Sequence, residues 1–319
     1  MREVAFSCDD RGVPFLKTAV GSLLKHYRGA EPLRVNVFEG WGGHSPSSKA
    51  DLGAIVARYP FASLRYLDVE AALKPWEDAI LHRDDSRWNV FTWTPVFTPY
   101  LLPEATGNVI HFDIDMLFNA DIAELFELDL GEKLIACTYE YDRYGENAGR
   151  VIWEKGILPP QAERYFNTGV LVFNATACRA ERTWEKIVGW YRAHYDIADR
   201  IEQDAWNALY HDRMHPLDIA WNFHDRAMKN YAKWDLKAKY WLGNPPRDCL
   251  QAALAPKLLH FWGPKKPWKV SHRPYRKLYH AAMRDVGLVP PREPLLAPWY
   301  DFLNARIRSR LLRRVQFMI

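Results

Sequence analysis

Through about residue 140, apolar segments of strand length alternate with amphipathic segments of helical length, and few folds accept that order. Val4-Ala5-Phe6 reads as a first strand. A helix follows from Pro14, a favourable first-turn position, with Phe15, Ala19, Val20, Leu23 and Leu24 on one face. Val35 to Phe38 is the next strand, and Ser45-Pro46 opens a helix carrying Leu52, Ile55 and Val56. Leu64 to Leu67 and Val109 to Phe112 supply two further strands. The pattern predicts βαβ units in an α/β sheet that is mainly parallel and flanked by helices. Such a sheet binds ligands beyond the carboxyl ends of its strands.

Beyond this region the order loosens and then returns. Tyr139 to Arg164 is rich in Tyr, Gly, Glu and Arg and reads as a long loop over a site. Gly169 to Phe173 has a buried-strand pattern, a helix is expected from about Ala180 to Tyr195, and another starts near Glu202. Leu258 to Phe261 reads as a late strand, followed beyond Pro274 by a short helix, a proline-rich joint and a terminal helix. The expected division is a catalytic body over 1–270 and a helical, basic extension over 271–319.

The 319 residues are 48% hydrophobic and 26% charged, which excludes a disordered chain. No apolar run approaches the roughly 18 residues of a membrane span. The first residues run directly into a strand pattern, leaving no room for a signal peptide. Cys8, Cys137, Cys178 and Cys249 are widely spaced and form no zinc-like pair, so reduced thiols and a cytoplasmic location are expected. The 14 Trp are mostly assigned to core, with a bias towards sugar binding.

Three segments carry chemistry. Asp113 and Asp115 sit just past a strand, where carboxylates at i and i+2 share one face and suit a hard divalent cation. A loop turn with Asp121 as helix cap is the structural alternative. In HFWGPKKPW (260–268), His260 is a candidate ligand through a ring nitrogen. Gly263 allows close approach of a backbone N–H, and Lys265 or Lys266 supplies charge for phosphate. A His with two carboxylates suits Mn²⁺, with Mg²⁺ as the alternative. Asn167 and Thr168 stand before a small-residue turn and suit ligand hydroxyls. Glu202, Gln203 and Asp204 open a helix, facing a reaction centre or capping the helix.

The ordered set CDD (8–10), HFDID (111–115), YFNTGVLVFN (165–174), EQDAWN (202–207) and HFWGPKKPW (260–268) resembles the family 8 glycosyltransferases. The resemblance spans residue 3 to about 268. It implies a GT-A fold and a retaining, metal-dependent enzyme that moves glucose or galactose from a UDP-hexose to a glycan or glycolipid. By the same resemblance, Asp113, Asp115 and His260 bind Mn²⁺, and Asp9 hydrogen-bonds the uracil. Gly263 and Lys266 hold the diphosphate. Asn167, Glu202 and Gln203 surround the donor sugar, with Gln203 nearest the anomeric carbon. Asp113 also belongs to the donor site. Asp204 is the carboxylate for a covalent route, although a front-face route is preferred because an amide oxygen is a poor nucleophile.

Two departures stand out. The family usually places a uracil-covering aromatic after CDD, where this chain has Arg11-Gly12-Val13. Pro95 occupies the place of a donor-contacting Arg. Two other readings compete. One is a sugar-nucleotide- or glycan-binding protein with a degenerate site. The other is a nucleotidyltransferase, disfavoured because CDDRGVPF lacks a Gly-rich phosphate loop.

Charge is unevenly distributed. Residues 257–319 carry 14 basic and 3 acidic side chains, whereas the whole chain has a net charge of only +4. Leu303, Ile307, Leu311 and Val315 form an apolar stripe flanked by Arg306, Arg310, Arg313 and Arg314. That pattern predicts a helix lying in an anionic membrane surface, bringing the enzyme to a lipid-linked or lipopolysaccharide-type acceptor. A solvated helix docked on the body is the alternative. No nucleic-acid partner is expected.

Overall fold

The computed structural model describes residues 1–80, 90–140, 152, 154–158, 164–224, 251–263, 266–269, 275–292 and 306. Strand β1 (Arg2–Ser7) leads through a short turn into α1 (Val13–His26), whose buried face includes Leu16, Ala19, Val20, Leu23 and Leu24. β2 (Leu33–Glu39) pairs parallel to β1. Ser45 accepts a hydrogen bond from the Ser48 N–H and caps α2 (Pro46–Val56), as its position before Pro46 implied. β3 (Ala62–Asp68) then closes one edge, parallel to β2.

After α3 (Thr94–Leu101), the chain returns to the other side of β1 as β4 (Asn108–Phe112), again parallel. The strand order therefore reverses between β1 and β4, which opens a crevice at their carboxyl ends. A small three-stranded sheet follows from β5 (Met116–Phe118), and β6 (Ile135–Tyr139) joins the main sheet. β7 (Phe166–Asn174) pairs antiparallel to both β4 and β6, and β8 (Met214–Pro216) is parallel to β6. Among the described residues the main sheet thus has seven strands, of which β7 alone is reversed. The small sheet is completed by β9 (Phe223–His224) and β10 (Leu258–His260), with β10 antiparallel to β5.

The reversal of β7 has a direct consequence for the site. A parallel strand would present its carboxyl end at the crevice. β7 instead presents its beginning, so Asn167, Thr168 and Gly169 lie beside Asp113, and the Asp113 N–H donates to the Gly169 carbonyl at 3.2 Å.

Both faces of the sheet are covered, which explains its continuous apolar runs. Val4, Phe6, Val170 and Val172 face one core with α1, while Ala5, Leu171 and Phe173 face the other with Trp93 and Trp206. The helix expected from Ala180 to Tyr195 is two helices, α4 (Ala175–Glu181) and α5 (Thr183–Ala193). Arg182 between them adopts a left-handed φ of 53°, which ends one helix before the next begins. α6 (Ile201–Tyr210) follows as expected, though its first residue, Ile201, also has φ 48°. That conformation strains a β-branched side chain, and it occurs one residue before Glu202.

Of the extension beyond residue 270, α7 (Arg276–Asp285) packs on the body. Its Tyr279 meets Phe261 with ring centroids 5.1 Å apart, and Asp285 pairs with Lys25 of α1 at 2.6 Å. The amphipathic terminal helix predicted from Leu303 lies outside the described residues except Arg306, as does most of the Tyr139–Arg164 loop. Cys8, Cys137 and Cys178 are buried free thiols. Among the described residues, no helix is long and apolar enough to cross a membrane.

Phe112, the last residue of β4, is fully buried against Phe6 and edge-on to Phe118, with centroids 5.9 and 4.9 Å away. Truncating it leaves a void under the Asp113–Asp115 turn. Phe112→Ala is expected to cost about 3–5 kcal/mol, read as a lower urea midpoint with an unchanged slope.

Candidate active site

The residues following β1 and β4 meet at the crevice. A cavity of about 490 Å³ opens there, lined by Asp9, Asp113, Asp115, Asn167, Glu202, Gln203, His260, Gly263 and Lys266, so all but one of the sequence-selected residues reach it. Asp204 is the exception. It is 1% exposed, accepts hydrogen bonds from the Tyr165 hydroxyl and the Arg200 N–H, and lies outside the cavity lining. Its bond to Arg200, the residue preceding α6, fits the capping alternative. Lys265 lies outside the described residues.

Three segments distant in sequence build the acidic cluster. Asp113 and Asp115 leave β4, and pairing of β10 with β5 carries His260 to them, locked by the Phe261 N–H donating to the Asp115 carbonyl at 2.9 Å. His260 Nε2 lies 3.2 Å from Asp115 Oδ1 and 3.6 Å from Asp113 Oδ2. One potential ligand atom from each residue lies within 4.8 Å of the others. Two carboxylates and an imidazole so close match the donor set of a divalent ion such as Mn²⁺.

Charge on this cluster is balanced from the protein side. Lys266 Nζ pairs with Asp115 and donates to the Phe261 carbonyl at 2.9 Å. Burial alone would raise the Asp115 carboxyl, but Lys266 and then His260 outweigh it and hold the group well below the usual carboxylate range. Burial opposes charge on His260, yet Asp115 beside it raises the imidazole above its ordinary value. Gly169 makes room for the ring, since a Cβ there would stand 2.7 Å from His260 Cε1.

The opposite wall is polar and sparsely satisfied. Thr168 donates through its N–H and hydroxyl to Gln203 Oε1 at 3.1 and 3.2 Å, and its hydroxyl also lies 3.2 Å from Glu202 Oε1. Among the described residues, these contacts leave Gln203 Nε2 and Glu202 Oε2 buried without hydrogen-bond partners. The oxygen of Gln203 is already engaged, so its available group is the N–H donor. Burial pushes the Glu202 carboxyl up to about 8, with the nearby Asp113 charge adding to the rise. Asp9 is held at the rim, where it accepts from the Gly12 N–H at 3.0 Å and pairs with Arg11 at 2.7 Å.

Sequence reasoning missed the groups behind the wall. Arg200, which lines the cavity, pairs with buried Glu140 at 3.1 Å, and Asn222 contacts both His260 and Asn167. The one usable signal was Asn222 itself, a polar residue set between Trp221 and Phe223. Trp262, Trp268 and Phe15 also line the cavity, with Phe15 stacked on Trp268 at 4.0 Å. Pro95 is part of the lining as well.

Comparison with known proteins agrees with this architecture. General stress protein A of Bacillus subtilis is 25% identical over 279 residues, covering 86% of this chain and 90% of that protein. Glycosyltransferase GlyE of Streptococcus pneumoniae is 25% identical over 174 residues, covering 54% of this chain but 36% of its own length. The structure of galactosyltransferase LgtC with donor and acceptor sugar analogues is similar with a TM-score of 0.72 at 17% identity, over 90% of this chain and 97% of that one. The bifunctional glycosyltransferase WbbM gives 0.70 at 18% identity, over 95% of this chain and about half (51%) of its own. The shared fold is GT-A-like. A family model described as glycosyl transferase family 8 matches residues 3–271, and the chain belongs to that family.

Proposed function

We propose that this chain is a retaining transferase that moves a hexose, glucose or galactose, from a UDP-sugar to a glycan or glycolipid acceptor, with Mn²⁺ held by Asp113, Asp115 and His260. The supporting observation is that the three ligand atoms converge on the wall of a cavity whose other wall keeps two buried polar atoms unpartnered. Such atoms are costly unless a ligand pairs with them. When bound, the metal supplies Lewis-acid stabilisation of the leaving diphosphate.

The protein's own groups complete the reading. Lys266 and Lys269 bring positive charge to the metal end of the cavity, and Gly263, at φ 81°, lets its backbone approach a phosphate closely. Asn167, Glu202 and Gln203 surround the space for the hexose, with Gln203 Nε2 as a donor to a sugar oxygen. Phe15 with Trp268 offers an aromatic face for the base although residues 11–13 have none. Arg200 supplies a guanidinium although Pro95 replaces the expected Arg, and Asp9 remains the candidate for the uracil edge. Because Asp204 is turned away and engaged, a front-face route, with the acceptor attacking on the side UDP leaves, fits better than a covalent one.

Release of UDP from UDP-glucose and UDP-galactose tests the reading. Turnover is expected with Mn²⁺ and not with EDTA, and Asp115→Asn should lower it by at least about 100-fold. Tight UDP binding without turnover of any donor would instead support a binding protein.

Glu202 gives a pH signature. Its carboxyl titrates near 8 in the fold against about 4.3 in the unfolded chain, so its proton stabilises the fold fully at low pH and that contribution is lost as pH rises towards 8. Glu202→Gln should therefore gain stability relative to wild type, by about 1–3 kcal/mol between pH 5.5 and 8.5. Thermal melts in EDTA read this directly, and a gain that does not grow with pH would overturn it.

The basic C-terminal segment is proposed to hold the enzyme on an anionic membrane, the inner face in a cytoplasmic setting, near a glycolipid acceptor. Deleting residues 299–319 should abolish sedimentation with anionic vesicles while UDP-sugar hydrolysis persists.

A further inference from the structure

A chain of buried polar side chains runs behind the acidic cluster, and its hydrogen-bond direction is fixed from one end. The Gly169 backbone N–H, which can only donate, lies 2.9 Å from Asn167 Oδ1. That contact identifies the Asn167 oxygen, and its Nδ2 then donates to Glu140 at 2.9 Å, whose carboxylate pairs with Arg200 at 3.1 Å. The Asn167 oxygen also accepts from Asn222 Nδ2 at 2.6 Å. The other Asn222 atom must be its oxygen, and it lies 2.9 Å from His260 Nδ1. An amide oxygen cannot donate, so Nδ1 carries a proton. In neutral imidazole this leaves the lone pair on Nε2, the nitrogen facing Asp113 and Asp115.

We propose that Asn222 is a positioning residue for metal binding: acting through His260, and itself oriented by Asn167 and Gly169, it fixes the imidazole tautomer that offers Nε2 to the ion. The inference rests on the reading of Asp113, Asp115 and His260 as a metal site. Asn222 is fully buried and His260 is 2% exposed, so water does not compete for the Nδ1 proton. Without the Asn222 oxygen, the imidazole can place its proton on either nitrogen, and the form that offers Nε2 to the ion is no longer the favoured one. A metal-ligating His with its second nitrogen held by an acceptor loses about 10–100-fold in affinity when that acceptor is removed.

Two measurements test this. In wild-type protein loaded with ¹¹³Cd²⁺ and labelled with ¹⁵N-histidine, cadmium–nitrogen coupling is expected at His260 Nε2, with Nδ1 retaining its proton. Coupling at Nδ1 would overturn the proposal, and this reading needs no variant to fold. Mn²⁺ titration followed by electron paramagnetic resonance should show Asn222→Leu binding about 10–100-fold more weakly. Equal affinity for wild type and Asn222→Leu would also overturn the proposal. If wild type binds neither Mn²⁺ nor Cd²⁺, the metal-site reading fails instead; where wild type binds, a loss in His260→Ala with none in Asn222→Leu overturns the Asn222 proposal alone.

Discussion

Two carboxylates and an imidazole brought within a few ångströms are the constraint that the rest of the site answers. Asp113 and Asp115 repel each other, and Lys266 and His260 stand against that repulsion. Satisfying that demand uses three separate pieces of chain: the end of β4, the end of β10 and the turn that follows β10. The small sheet of β5, β9 and β10 therefore holds His260 in place beside the two carboxylates, and this is the reason a two-strand pairing register matters to chemistry more than its size suggests.

The sheet was largely readable because most of its strands carry a short apolar run that burial favours. Strands β1, β4, β7 and β10 show such runs, whereas β2 is interrupted by Asn36 and β3 keeps no buried residue; α1 carries clear amphipathic spacing, and both α1 and α2 open on a proline in the first turn. Strands such as β5, β8 and β9 were missed because two or three residues carry no periodicity, and they exist only through their partners. The direction of β7 was equally invisible, since an antiparallel strand buried on both faces has the same composition as a parallel one. The break at Arg182 was hidden for a different reason: arginine is a good helix former, and a left-handed conformation at such a residue leaves no mark in its type.

The site was legible where residues touch solvent or sit in compact motifs. Asp113, Asp115 and His260 are separated by up to 147 positions, yet each stands at a strand end where its chemistry is conspicuous. Glu140 and Arg200 offered no such cue, and Asn222 only its place between Trp221 and Phe223, because a buried hydrogen-bond chain is defined by geometry among side chains and not by spacing. Gln203 shows the opposite limit. Its place in the cavity was foreseen, but which end of its amide is available depends on Thr168, a contact no sequence pattern reveals.

Gly169 ties together two positions that share no other connection. Its missing side chain is the space in which the His260 ring sits, and its N–H starts the chain that orients that ring. Positions 169 and 260 are therefore sterically coupled: a side chain at 169 requires the imidazole to move, and a chain without the imidazole has room for a small side chain there. A bulkier residue at 169 beside an intact histidine requires the Asp113–Asp115–His260 cluster to be rearranged.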